Sequence, residues 1–276
     1  RAHPGLAPAG AGGMRPTAAA TLPLNQMSGA KIDTLLFCTC YARDETAWQS
    51  RYQRWIDYYE DGPIDWDRMF LIDDGSPHVP TAQLIGNFSA NAGSPVPAEA
   101  KLVARFPDNL GRQGPAAYPG WWRSFFHSLQ LARLTGASKI VHIESDAYIL
   151  SQPLADFINE VSSGWHVLWS PRYRMPETAI QVICADQFAA FERFQQDPGN
   201  RMNEEFAENI LPFTAIHQEF VGDRYSELKR NRGIFRSRKF DRFPVFQRDF
   251  FRVQIPDDAD FATQVVSRQP VRFRAA

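Results

Sequence analysis

The sequence predicts an α/β protein, a mostly parallel sheet flanked by helices. Three observations lead there. Short apolar runs alternate with helical segments from residue 34 to residue 150, the pattern of parallel strands joined by crossover helices. The run Lys139–Leu150, KIVHIESDAYIL, ends a buried strand in an acidic pair, Glu144 and Asp146. Open α/β sheets bind ligands at that edge. Finally, 276 residues at 44% hydrophobic and 13% aromatic are enough to bury a sizeable core.

Taken in order, Thr34–Thr39 (TLLFCT) reads as a buried strand. Asp44 is placed to cap a helix running to about Tyr59. Trp48, Tyr52, Trp55 and Tyr59 recur at helical spacing and are read as core. Arg68–Ile72 is a second strand, ending in the turn Asp73-Asp74-Gly75-Ser76-Pro77. Residues 77–100 are loop-rich, with a short strand over Leu84–Phe88, and Lys101–Phe106 is a third strand. A Gly/Pro-rich loop, Asn109–Gly120, leads into a helix over Trp121–Thr135 that Gly136 ends. After the acidic strand, Trp165–Trp169, Ala179–Cys184 and Ile216–Val221 read as strands. Gln187–Phe194 and Asn203–Leu211 read as helices.

Composition excludes several classes. A net charge of −1 gives no general reason to bind nucleic acid. No run of about 18 apolar residues is present to cross a membrane. Three cysteines, Cys38, Cys40 and Cys184, suit a reducing compartment and make no disulfide framework. Cys38 and Cys40 share a strand face and read as buried small hydrophobes. Residues 1–30, rich in Ala, Pro and Gly, read as a tail or arm, with Met14 and Met27 as alternative starts.

Residues 224–252 carry ten basic side chains against Glu227, Asp241 and Asp249, interleaved with phenylalanines. Two readings stand. One is a surface for an anionic acceptor, donor phosphates or a membrane carrying a lipid-linked acceptor. The other is an aromatic core strip with a solvated basic face.

Four features fall at strand ends in one order: Thr39-Cys40-Tyr41, Asp73-Asp74-Gly75-Ser76, Arg123, and Glu144-Ser145-Asp146. Their order and spacing resemble the GT-A nucleotide-sugar glycosyltransferases, above all the large inverting family 2 of bacterial glycosyltransferases. The resemblance covers roughly residues 33–220. It implies a Rossmann-like GT-A fold with a mixed acceptor-side part. Residues 31–276 would be a single domain: a nucleotide-sugar half (31–150), an acceptor half (151–223) and a basic aromatic extension (224–276).

The resemblance also implies roles. Thr39 and Tyr41 would hold the nucleotide base, Tyr41 by stacking. Asp74, or Asp73, would accept from the base imide; an ordinary Asx turn is the other reading of that pair. Arg123 and Arg112 would meet the base or diphosphate. Asp146 would bind Mn²⁺ or Mg²⁺, with Glu144 as a second ligand or acting through water. Glu144 stands where the family carries Asp. His217 falls where some relatives place a metal ligand. Glu204 and Glu205 fall where the family carries its general base, with Asp186 and Glu219 as rivals. The same glutamates would also suit the first turn of a helix.

The implied activity is metal-dependent, inverting sugar transfer from a nucleotide-diphospho sugar to a glycan or lipid-linked acceptor, in surface polysaccharide or glycolipid synthesis. It would proceed in the cytoplasm, at the inner face of the membrane if 224–252 docks there. Two other readings remain. A sugar-phosphate nucleotidyltransferase would need a glycine-rich loop after strand one, and Thr39–Asp44 holds no glycine. A GT-A-like binding domain without turnover would account for Glu144.

Overall fold

The computed structural model describes residues 34–78, 80, 85–91, 93–225, 253–266 and 269–275. Each expected N-terminal apolar run forms a strand: β1 (Thr34–Cys40), β2 (Arg68–Asp73), β3 (Gly86–Ser89), β4 (Lys101–Arg105) and β5 (Lys139–Ile143). Then follow β6 (Tyr148–Ile149), β7 (Trp165–Ser170), β8 (Met175–Cys184), β9 (Ala215–His217), β10 (Gly222–Asp223) and β11 (Phe261–Ala262). The helices are α1 (Glu45–Ala47), α2 (Arg54–Glu60), α3 (Pro119–Thr135), α4 (Gln152–Glu160), α5 (Phe188–Gln196) and α6 (Ala207–Ile210).

Eight strands make one sheet in the order β3-β4-β2-β1-β5-β8-β7-β9. The first five are mutually parallel. β8 runs antiparallel to both β5 and β7, and β9 is parallel to β7. The result is a mixed α/β fold with a mostly parallel sheet flanked by helices, consistent with a GT-A-like arrangement. The sheet is continuous across residue 150.

β1 explains why the sheet needs cover on both faces. Its alternate side chains enter two separate cores, as a strand buried on both sides requires. Leu36 and Cys38 join Trp48, Trp55 and Tyr59. Leu35 and Phe37 join Phe125 and Leu129 of α3. Asp44 caps α1 as expected, its side chain accepting from the Ala47 amide at 2.7 Å. A π-helical turn, Trp48–Gln53, joins α1 to α2. The stripe Trp48, Tyr52, Trp55 and Tyr59 is buried. α3 begins with Pro119 in its first turn and ends at Gly136, whose φ of 75° is the left-handed cap geometry that favours glycine. All three cysteines are free and buried.

A second sheet, β10-β11-β6, lies beside the acidic strand end. It is built by sequence far downstream. Leu150 donates to Asp260 O at 2.7 Å, and Val265 donates to Asp146 O at 2.9 Å.

Some expectations change. The helix expected over Asn203–Leu211 is a turn followed by the four residues of α6, because Phe206 is extended (φ −72°, ψ 146°). The strand expected over Ile216–Val221 stops at His217, and the one expected at Ala179 begins at Met175. α4 is an element the sequence reading does not name, although Leu154, Ala155 and Ile158 recur at helical spacing and form its buried face, and Pro153 in its first turn is compatible with a helix start. The N-terminal arm and nearly all of the basic segment, 226–252, lie outside the described residues. Among the described residues, no helix is long and apolar enough to cross a membrane.

Candidate active site

A cleft of about 810 Å³ opens where β5 ends. Glu144 and Asp146 both line it, as strand-end placement requires. Five carboxylates face it against three guanidinium groups, those of Arg51, Arg112 and Arg224.

Glu144 is held by three elements. The Thr39 hydroxyl at the end of β1 lies 2.9 and 2.8 Å from its two oxygens. Trp121 Nε1 of α3 donates to Oε1. His142 Nε2, two residues back on the same strand face, lies 3.1 Å from Oε1. The network behind His142 sets its tautomer. Trp165 Nε1 donates to Gln181 Oε1 at 3.0 Å. That leaves the Gln181 amide as donor to His142 Nδ1, at 3.4 Å, so Nε2 carries the proton that reaches Glu144. Burial pushes the Glu144 carboxyl up, but the bonds from His142, Thr39 and Trp121 outweigh it and hold its pKa below the usual value.

Asp146 is placed differently. Its Oδ2 receives Arg51 Nη2 at 3.2 Å. Burial raises its pKa, Arg51 opposes that, and Glu144 adds to it. The two acids therefore split: Glu144 is held ionised, and Asp146 is held short of a full complement of donors.

Across the cleft, Arg224 bridges two acids. Its Nε lies 2.7 Å from Glu177 Oε2, and its Nη2 lies 3.0 Å from Glu208 Oε1. Glu177 is almost fully buried, and burial raises its pKa against the pull of Arg224. Thr178 Oγ1 donates to Glu208 at 3.2 Å. Arg224, named in the sequence only as part of a basic run, is thus the hub of this wall.

The base candidates separate. Glu205 lines the cleft and pairs with Arg201 at 3.0 Å. Glu204 also pairs with Arg201, but its side chain is 70% exposed and is not among the lining residues. Asp186 accepts from the Gly164 amide at 2.9 Å, outside the cleft.

The Asp73-Asp74 turn is committed internally. Asp73 accepts from the Ser76 amide at 3.2 Å and pairs with Arg105 at 3.1 Å. Asp74 is bound by Arg123, by Asn109 Nδ2 at 2.9 Å and by the Gly111 amide at 2.8 Å. The approach is close enough to need Gly120, where an added Cβ would come within 2.0 Å of Asp74 Oδ2. Arg123 also pairs with Asp108 at 2.9 Å and lies 4.1 Å over Phe106. It faces a separate groove with Phe106 and His127. The structure thus uses the Asp74–Arg123 pair to pin the 108–111 loop. Arg112 alone of the two expected arginines reaches the cleft.

Tyr41 is 44% exposed just past β1, and its backbone exchanges hydrogen bonds with the Tyr52 hydroxyl at 2.9 and 3.1 Å. It does not line the cleft. His217 sits on the edge strand β9, 2.9 Å from His166 and 2.6 Å from Glu219. Those contacts and Phe157 occupy it away from Asp146, so it joins no acid cluster with Glu144.

Among the described residues no group of three or more His, Cys, Asp or Glu is arranged to hold a metal ion. Glu144 and Asp146 are two hard oxygen donors on one cleft wall. That set fits Mg²⁺ or Mn²⁺ only where substrate phosphates and water complete the shell, which is the usual habit of Mg²⁺.

Sequence alone does not single out Arg51, Trp121, His142, Glu177 or Glu208. One signal was available: His142 and Glu144 are two apart on a strand and so share a face.

The chain matches no protein-family model, and no curated protein matches it. Among solved structures it is similar to a glycosyltransferase involved in the glycosylation of the major capsid of PBCV-1. The identity is 7%, over 84% of this chain and 93% of that one, with a TM-score of 0.41. A likeness of that size identifies no shared site.

Proposed function

We propose that the protein is a glycosyltransferase, moving a sugar from a nucleotide-diphospho sugar to an acceptor hydroxyl with inversion. The observation that carries this reading is the pair Glu144 and Asp146 at the end of β5, open to an acid-rich cleft. A diphosphate entering such a cleft meets like charge, which a divalent cation held by Asp146 would relieve. Mn²⁺ or Mg²⁺ bound there would supply charge neutralisation to the departing nucleoside diphosphate.

The chain's own residues do the rest. Thr39, Trp121 and His142 fix the Glu144 carboxylate against the cleft wall. Glu205 is the base, taking the proton of the acceptor hydroxyl as it attacks the anomeric carbon. Glu208 is less suited, because Arg224 and Thr178 already use it. Arg112 contributes positive charge at the mouth, where its guanidinium lies 4.6 Å over the Tyr118 ring. The acceptor in this reading is a glycan or lipid-linked sugar, and the work is cytoplasmic, with membrane contact through 224–252.

A second reading, a nucleotide-sugar-binding domain without turnover, is favoured by one observation: Glu144 Oε1 is already met by three donors. Calorimetric titration with nucleoside diphosphates, with and without Mn²⁺, tests both. Asp146→Ala is expected to abolish Mn²⁺-dependent binding while leaving the fold intact. Unchanged affinity in that variant sinks the assignment. Binding without transfer or donor hydrolysis favours the second reading.

A further inference from the structure

We propose that Arg51 is a diphosphate-binding cation built into the cleft, one that exchanges Asp146 for phosphate oxygens when a donor enters. The inference rests on the nucleotide-diphosphate reading above.

Of the three guanidinium groups at the cleft, two are committed. Arg224 is spent on Glu177 and Glu208. Arg112 donates from Nε to Gly114 O at 2.8 Å and from Nη2 to Pro115 O at 3.0 Å. Arg51 differs. Among the described residues the one hydrogen bond its guanidinium makes is the 3.2 Å contact from Nη2 to Asp146, and the group otherwise lies 5.9 Å from the centre of the Tyr52 ring. Its side chain remains 47% exposed. A guanidinium offers five N–H donors in a planar fork, and this one, at the cleft lining, uses a single donor among the described residues.

The backbone supports the same reading. Arg51 lies within the π-helical turn Trp48–Gln53. Such turns are rare and gather at functional sites. The neighbouring Tyr52 is buried and tied through its hydroxyl to the Tyr41 backbone, which anchors the turn while Arg51 faces the cleft.

Exchange is favoured by the chemistry. A single contact at 3.2 Å from a half-exposed guanidinium to one carboxylate oxygen is a weaker tie than a bidentate pair. A bidentate guanidinium–phosphate contact is stronger and has fixed geometry. Once phosphate draws Arg51 away, Asp146 is left for a divalent cation. Before that, Arg51 and the cation compete for the same carboxylate.

The test is calorimetric titration of inorganic pyrophosphate, UDP and Mn²⁺ alone into wild type, Arg51→Ala and Arg51→Lys. The phosphate titrations are run both in chelator and in Mn²⁺, with thermal melts to check folding. Wild type is expected to bind pyrophosphate in chelator. Arg51→Ala is expected to lose that affinity by about tenfold or more, and Arg51→Lys to lose part of it, because charge survives and the fork does not. Mn²⁺ alone should bind Arg51→Ala at least as well as wild type. Equal pyrophosphate affinity in wild type and both folded variants overturns the role of Arg51. No binding of any diphosphate to wild type, with or without Mn²⁺, overturns the nucleotide reading itself and this inference with it.

Discussion

The Thr39 hydroxyl lies within 2.9 Å of both carboxylate oxygens of Glu144, tying the end of β1 to the end of β5. One hydroxyl proton serves two acceptors, so the bond fixes the plane of the carboxylate as well as its position. Thr39→Val keeps the shape and removes the donor. It is expected to cost about 1 kcal/mol in urea unfolding and to weaken nucleoside diphosphate binding, while Thr39→Ser restores both. Donor affinity unchanged in the valine variant would show that Glu144 does not shape the site.

Glu205 and Glu204 are adjacent in sequence but differ in place. Glu205→Gln is expected to slow transfer by about 100-fold with donor affinity kept. Glu204→Gln, out in solvent beside Arg201, should behave like wild type. Equal losses in both variants, read from initial rates, would point to a role for the turn as a whole.

Arg224→Ala leaves Glu177 and Glu208 facing each other without their shared cation. Breaking such a buried set by removing one member costs about 3–5 kcal/mol. Thermal unfolding should show it. Glu177→Gln placed in the Arg224→Ala background is expected to recover part of the loss.

His127 gives a pH dependence. Burial lowers its pKa from 6.5 to about 4. The folded state therefore binds fewer protons than the unfolded state between those values. Its contribution to stability is complete above pH 6.5 and is lost as the pH falls toward 4, by roughly 3 kcal/mol in all. Urea unfolding of His127→Leu at pH 7 and pH 4.5 should show a smaller acid loss than wild type. Identical pH slopes would refute it.

The elements most legible in the sequence are those whose cause is local. The apolar runs of β1, β2, β4 and β5, the Asp44 cap and the Gly136 stop are all written within a few residues. The acid pair also reads directly, because a buried strand ending in two carboxylates has few places to go. What escapes is long-range. Thr39 and Glu144 are 105 residues apart, and Arg51 and Asp146 are 95. Asp74 illustrates the same limit. Its turn is visible in sequence, yet its partners Asn109, Gly111 and Arg123 arrive from a loop and a helix that periodicity does not orient. Glu204 and Glu205 look equivalent on an ideal helix. The extended Phe206 is what separates them from α6.

The clasp around Asp146 has a temporal consequence. Its carbonyl receives the Val265 amide, and the adjoining Tyr148–Ile149 strand is zipped to Phe261–Ala262. On the ribosome, the acidic loop emerges long before the segment that buckles it in place. A nascent chain halted between the two would own both carboxylates and still lack the support that orients one of them, so the acid pair takes its final geometry late in synthesis.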